Sequence, residues 1–284
     1  DNVSNRCDVF NHTYYVDSSE PVMTEEVGKP KYGTNDEWVT THTSIWLNAT
    51  DNPDEPCKSG VEAIFWRYVY DGTSYPLEDE IGAINGSELE TLYGYTDAEI
   101  TDYWWYVEYD NSVEFSFPEE CIHVLYYWAK DNVSNKCDII TKTYYVDDTP
   151  PIATVDTISP YCQEINETNP LTITVTAIDY TEPCVSGVKN VTLYYRFSCY
   201  NNSPWTLWTK WDGVDDTSPY TWQFTAPYGP GFYEFEAVSV DNLGNQETQT
   251  FTAEAILCVP LNFTYELKHG WNLITVPINV SWNA

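Results

Sequence analysis

Positive charge is what this chain of 284 residues lacks most: 12 Lys and Arg stand against 44 Asp and Glu, a formal net charge of −32. Nucleic acid and anionic lipid surfaces are gripped through cationic footprints, so nucleic-acid partners are excluded. No apolar run approaches the ~18 residues of a membrane span, so this segment has none. The chain opens with neither Met nor a basic stretch ahead of an apolar one, and so reads as a mature or excised segment. Histidine is as sparse. His12, His42, His123 and His269 stand far apart, and H-E-x-x-H, G-x-S-x-G and phosphate-cradling glycine loops are missing. No catalytic residue is assigned, and the chain is expected not to be an enzyme; His123, flanked by Ile122 and Val124, reads as a strand histidine.

Aromatics and cysteines are plentiful. Tyr and Trp dominate an aromatic share of 16%, with abundant Thr and Val, the composition of pleated, half-buried surfaces. The eight cysteines are Cys7, Cys57, Cys121, Cys137, Cys162, Cys184, Cys199 and Cys258; with no C-x-x-C pair and no His spaced for zinc, they read as disulfide partners. Ten N-x-S/T sites, at Asn2, Asn11, Asn48, Asn85, Asn132, Asn166, Asn190, Asn201, Asn262 and Asn279, point to N-linked glycans and an extracellular location, secreted or on the cell surface.

Internal repetition organises the rest. "DNVSNRCDVFNHTYYVD" at 1–17 recurs as "DNVSNKCDIITKTYYVDD" from Asp131 and weakly as "DNLGNQETQTFTAEA" from Asp241; "DNPDEPCKSGV" from Asp51 recurs as "DYTEPCVSGV" from Asp179. "LTITVTAID" and "NVTLYYRF" alternate with period two, placing Leu171, Ile173, Val175 and Ala177, and Val191, Leu193, Tyr195 and Phe197, on buried faces. "DNVSN" and "DNLGN" are turns joining consecutive strands. The prolines of "DDTPP" at 147–151 mark a stiff linker. The reading is all-β: tandem immunoglobulin-like Greek-key sandwiches with incomplete strands at both ends. Residues 1–17 are the last hairpin turn and strand of a preceding or partner unit; 18–150 form domain 1, with an insertion near 72–102; 151–260 form domain 2; and 261–284 open a further module.

These phrases, with "EVGKPKYG…WVTTHTSIWLNATD", "C-x-SGV", "EEC-x-H-x-LYY" and "YVDDTPP", resemble the tandem immunoglobulin-like or fibronectin-like modules of archaeal extracellular and surface-layer proteins over residues 1 to about 255. "GWNLITVPINVSW", from Gly270, looks like the opening strand of the module that follows such arrays. The resemblance implies a structural part of a cell-surface filament, stalk or surface layer, either a slice of a longer array or a subunit polymerised by strand donation with Cys7 locking the joint. Its partners are then copies of itself, adjacent repeats, glycans or cell-surface proteins.

In an immunoglobulin-like sandwich the loop carrying Cys57 and the hairpin before Cys137 share one end, making Cys57–Cys137 the preferred bond. Cys57–Cys121 is the alternative, freeing Cys7 and Cys137 to join neighbouring units. In domain 2, Cys162 and Cys258 tie start to end, leaving Cys184 and Cys199 over; that unit lacks a cysteine after its hairpin turn. The same loop ends collect Asp51, Asp54, Glu55 and Asp131, and Asp179, Glu182 and Asp241, with Asp147 and Asp148 in the linker. Such oxygen-rich corners suit calcium, or serve simply as solvated turn acids. Trp205, Trp208 and Trp211 offer a sugar-stacking platform, which would make a carbohydrate-binding or adhesion module, but their parity splits them across a strand, so packing is the competing role.

Overall fold

A computed structural model describes residues 10–51, 57–94, 102–180, 184–201 and 204–261. Unit 1 runs β1 (Val22–Val27), β2 (Lys31–Tyr32), β3 (Trp38–Val39), β4 (Ile45–Thr50), β5 (Val61–Tyr70), β6 (Thr73–Tyr75), β7 (Ala83–Ile84), α1 (Gly86–Tyr93), β8 (Trp104–Glu108), β9 (Ser112–Phe115), β10 (Cys121–Asp131) and β11 (Ile140–Val146). Unit 2 runs β12 (Ile152–Val155), β13 (Leu171–Ile178), β14 (Val188–Ser198), β15 (Thr209–Asp215), β16 (Tyr220–Phe224), β17 (Gly231–Asp241) and β18 (Ala255–Val259). Each unit faces a three-stranded sheet with a larger one: β1-β4-β9 with β2-β3-β11-β10-β5-β8-β7, and β12-β13-β16 with β15-β14-β17-β18. The chain is thus an all-β tandem of fibronectin-like, immunoglobulin-like sandwiches.

The alternation seen in sequence sets the core. Ile173 and Val175 on β13 face Val191, Leu193, Tyr195 and Phe197 on β14, all buried together with Phe224, Tyr233 and Phe235. Burying each such side chain contributes about 1.5–3 kcal/mol. In unit 1, Ile45, Leu47, Leu125, Tyr144 and Val146 do the same, and His123 lies in that core with 0% exposure, stacked on Tyr70 at 4.8 Å and on Phe117 at 4.3 Å.

The described part of the insertion near 72–102 gives unit 1 a second core on the outer face of its large sheet. α1 forms among few helix formers because both ends are capped: Asn85 accepts from the Glu88 N–H while Glu88 returns a bond to the Asn85 N–H, and Gly94 closes the helix in the left-handed region. Its buried Leu89 and Tyr93 join Ala63, Phe65, Trp104 and Trp128, with Phe65 and Trp128 stacked at 4.1 Å.

Unit 2 instead holds an edge with carboxylates. The N–H groups of Ala153 and Val155 on β12 donate to Glu247 (3.0 Å) and Glu254 (2.8 Å), which also accept from Ser239 and Ala237 on β17. Two acids thereby satisfy backbone donors that no strand pairs.

Candidate functional site

The repeated motifs converge at the unit boundary. Asp131, closing β10, caps its own hairpin turn, its Oδ1 accepting from the N–H of Val133 (3.0 Å) and of Asn135 (2.8 Å) and its Oδ2 from Asn135 Nδ2 (2.7 Å). Asp241, closing β17, is wired the same way to Leu243 and Asn245. The Asn after each Asp bridges the S-G-V loop: Asn132 Nδ2 donates to the carbonyls of Ser59 and Gly60, and Asn242 Nδ2 to those of Ser186 and Gly187. Gly60 and Gly187 hold φ of +89° and +85°, a region costly to other residues, and so aim their N–H groups at Asp51 Oδ2 (2.5 Å) and Asp179 Oδ2 (2.8 Å).

The residue ending "YYVD" closes each corner. Asp17 Oδ2 accepts from the Ser59 N–H at 2.8 Å and Asp147 Oδ2 from the Ser186 N–H at 2.7 Å, while Asn135 and Asn245 donate to their carbonyls. Two equivalent triads result, Asp17–Asp51–Asp131 and Asp147–Asp179–Asp241, each presenting carboxylate oxygens within 4.8 Å of one another. Sequence reasoning had Asp51, Asp131, Asp179 and Asp241, with Asp147 in the adjoining linker; it missed Asp17, which the repeat alignment itself marks, since Asp17 and Asp147 hold equivalent places. Asp54, Glu55 and Glu182 lie outside the described residues. Asp148 turns the other way, accepting from the Thr41 N–H at 3.2 Å, so the linker is fastened to both units.

Electrostatically these corners are costly. Burial pushes the Asp179 carboxyl up to about 6, reinforced by the charges of Asp147 and Asp241, and raises that of Asp147; backbone donation from Ser59 lowers Asp17. The ion pairs of Lys31, Arg67, Lys130, Lys142 and Arg196 all go to other carboxylates.

The disulfides correct the expected pairing. Cys57–Cys137 is not formed, and both thiols are free. Cys137 instead lies against its own hairpin, its Sγ accepting from the Ala129 N–H at 3.2 Å, with burial raising its thiol. The alternative Cys57–Cys121 is not formed either, because Cys121 at the start of β10 bonds Cys184 across the boundary. Cys184, expected to be left over, is therefore the clamp between units, while Cys162–Cys258 ties the start of unit 2 to its last strand and Cys199 is free and exposed. A signal existed: Cys57 and Cys184 occupy the same repeat position, and unit 2 has Gly231 where unit 1 has Cys121. Cys7 lies outside the described residues.

The remaining candidates scatter. Asn11, Asn132, Asn166 and Asn201 are exposed, Asn48, Asn85 and Asn190 half-buried, and Asn2, Asn262 and Asn279 outside the described residues. Asn132 Nδ2, the atom a glycan would take, is already bonded to the S-G-V loop. The three tryptophans make no platform. Trp211 packs on Tyr195 and Phe224, whereas Trp205 and Trp208 flank the Arg196 guanidinium at 5.1 and 4.7 Å. Parity failed to pair them because β15 starts only at Thr209. A cleft of about 430 Å³ in unit 1, lined by Trp66, Tyr68, Tyr75, Trp105, Glu80 and Glu119, gathers more rings, yet Tyr68 stacks on Tyr75 at 5.2 Å and Trp66 on Trp105 at 6.1 Å. Among the described residues no helix is long and apolar enough to cross a membrane.

Solved structures similar to this chain include modules of several multidomain proteins. The fibronectin(III)-like modules of Clostridium thermocellum CbhA are 12% identical, with a TM-score of 0.37 over 86% of this chain and 100% of that one. Titin domains A168–A170 give 13% and 0.33 over 83% and 67%, and the FN1–FN3 domains of chicken CNTN1 10% and 0.27 over 76% and 64%. No family model and no curated protein matches the chain.

Proposed function

We propose that this chain is a stiff, non-catalytic stretch of a larger extracellular protein, a run of end-to-end sandwiches that sets length and orientation in a cell-surface filament, stalk or layer. The observation that carries this reading is the boundary itself. Cys121–Cys184, Asp147 seated in unit 2 and Asp148 bonded to unit 1 leave the linker little freedom, as a spacer requires. Tandem domains usually move relative to one another unless their interface holds them.

The same boundary is half built in front of unit 1. Asp17 is docked as Asp147 is, but Tyr14 and Val16 are 83% and 77% exposed, whereas their counterparts Tyr144 and Val146 are fully buried on β11. A neighbouring sandwich, from the same polypeptide or another copy, covers these side chains by pairing with residues 10–17, and Cys57, at the place of Cys184, meets that neighbour's cysteine. Electron microscopy of native material with and without reductant tests the reading. Straight threads of regular spacing that become flexible on reduction are expected; threads equally flexible in both conditions overturn it. The carbohydrate-binding alternative has the aromatic cleft of unit 1 in its favour, and quenching of Trp66 or Trp105 fluorescence by soluble glycans is its test.

A further inference from the structure

The two aspartate triads are built at the same point of two units, with the same donors, and they remain incomplete in the same way. In each, one carboxylate oxygen contributed by the strand-end aspartate has no hydrogen-bond donor among the described residues: Asp51 Oδ1, on a residue only 6% exposed, and Asp179 Oδ1, a buried atom on a half-buried residue. Asp131, Asp147 and Asp241 beside them are 0%, 1% and 0% exposed. An unsatisfied buried carboxylate oxygen among further carboxylates is among the costliest arrangements a fold holds, and two equivalent copies argue that something completes it.

We propose that each triad binds one calcium ion, Asp17, Asp51 and Asp131 holding the first and Asp147, Asp179 and Asp241 the second. The donor set is all oxygen, which selects hard cations over zinc or copper, and among the described residues neither corner adds a thiol or imidazole ligand. Calcium rather than magnesium fits because the three carboxylates come from three separate segments, a linker, a strand end and a hairpin, giving an adaptable cage rather than an imposed octahedron. One such ion cancels most of the charge of a triad and ties the linker aspartate to both strand ends. Cation occupancy then sets how stiff each boundary is. This rests on the end-to-end reading of the junction, but the two fail separately: mapping Cys121–Cys184 tests the junction without reference to any ion.

Calorimetric titration of calcium into the intact chain, at an ionic strength that screens its many surface acids, tests the assignment. Two tight equivalents are expected in the wild type, one in Asp51→Asn, one in Asp179→Asn and none in the double variant, with the calcium-induced rise in thermal midpoint lost in step. Should the double variant fail to fold, Asp17→Asn, a linker substitution outside both cores, is expected to remove one equivalent alone. No tight equivalent in the wild type, or two retained in Asp17→Asn and Asp51→Asn, overturns the proposal; magnesium matching calcium in affinity overturns the choice of ion.

Discussion

Unit 1 and unit 2 share a strand order and a junction, and differ on the outer face of the large sheet. Where unit 1 pairs Phe65 with Trp128, unit 2 pairs Thr192 with Val238; where unit 1 buries Ala63 under α1, unit 2 carries Asn190, a half-buried glycosylation sequon. The core differs once as well: His123 of unit 1 is Tyr233 in unit 2, whose hydroxyl donates to the Gly229 carbonyl at 2.7 Å. The residues at the boundary, by contrast, make the same hydrogen bonds in both units. An outer face can be covered by an insertion or left open without disturbing the fold, whereas the ends that join units leave no such room.

The comparison breaks most readily at the second core. Trp128→Ala is expected to cost unit 1 about 3–5 kcal/mol, as large aromatic truncations do. In chemical denaturation followed by hydrogen exchange, β5 and β10 lose protection while β14 and β17 keep theirs; equal loss in both would show that the units are one cooperative body. Acid sharpens the contrast next. Burial holds the His123 imidazole below its ordinary pKa of 6.5, so the unfolded chain takes up the proton first. That contribution is full above pH 6.5 and is lost as pH falls below it. Unit 1 is expected to weaken between pH 7 and 5 in a way that His123→Tyr, restoring the residue of unit 2, abolishes; an unchanged pH profile in that variant contradicts it. The smallest effect is at the insertion. Asn85→Ala removes the helix cap and is expected to cost unit 1 about 1 kcal/mol of stability, read as a lower denaturation midpoint, with the midpoint of unit 2 unmoved.

Much of the sandwich was legible because period two survives in β13 and β14 and because the motifs recur. The turn motif D-N-x-x-N reads as a turn, yet sequence alone gives no sign that its first Asn spans to the S-G-V loop and its second to the linker. Of the six triad members Asp17 alone went unread, because it lies far in sequence from the loops that carry Asp51 and Asp131. The cysteines misled for a physical reason. Proximity at one end of one sandwich favoured Cys57–Cys137, but the bond that forms joins the start of β10 to a loop of the next unit, a contact that exists only once two units are stacked.

That stacking is the central claim, and non-reducing proteolysis with mass spectrometry of the linked peptides measures it most directly. A peptide pair joining Cys121 to Cys184, alongside one joining Cys162 to Cys258, is the predicted result. Recovery of Cys121 bonded to Cys57, or of a Cys57–Cys137 pair with Cys184 free, would contradict it.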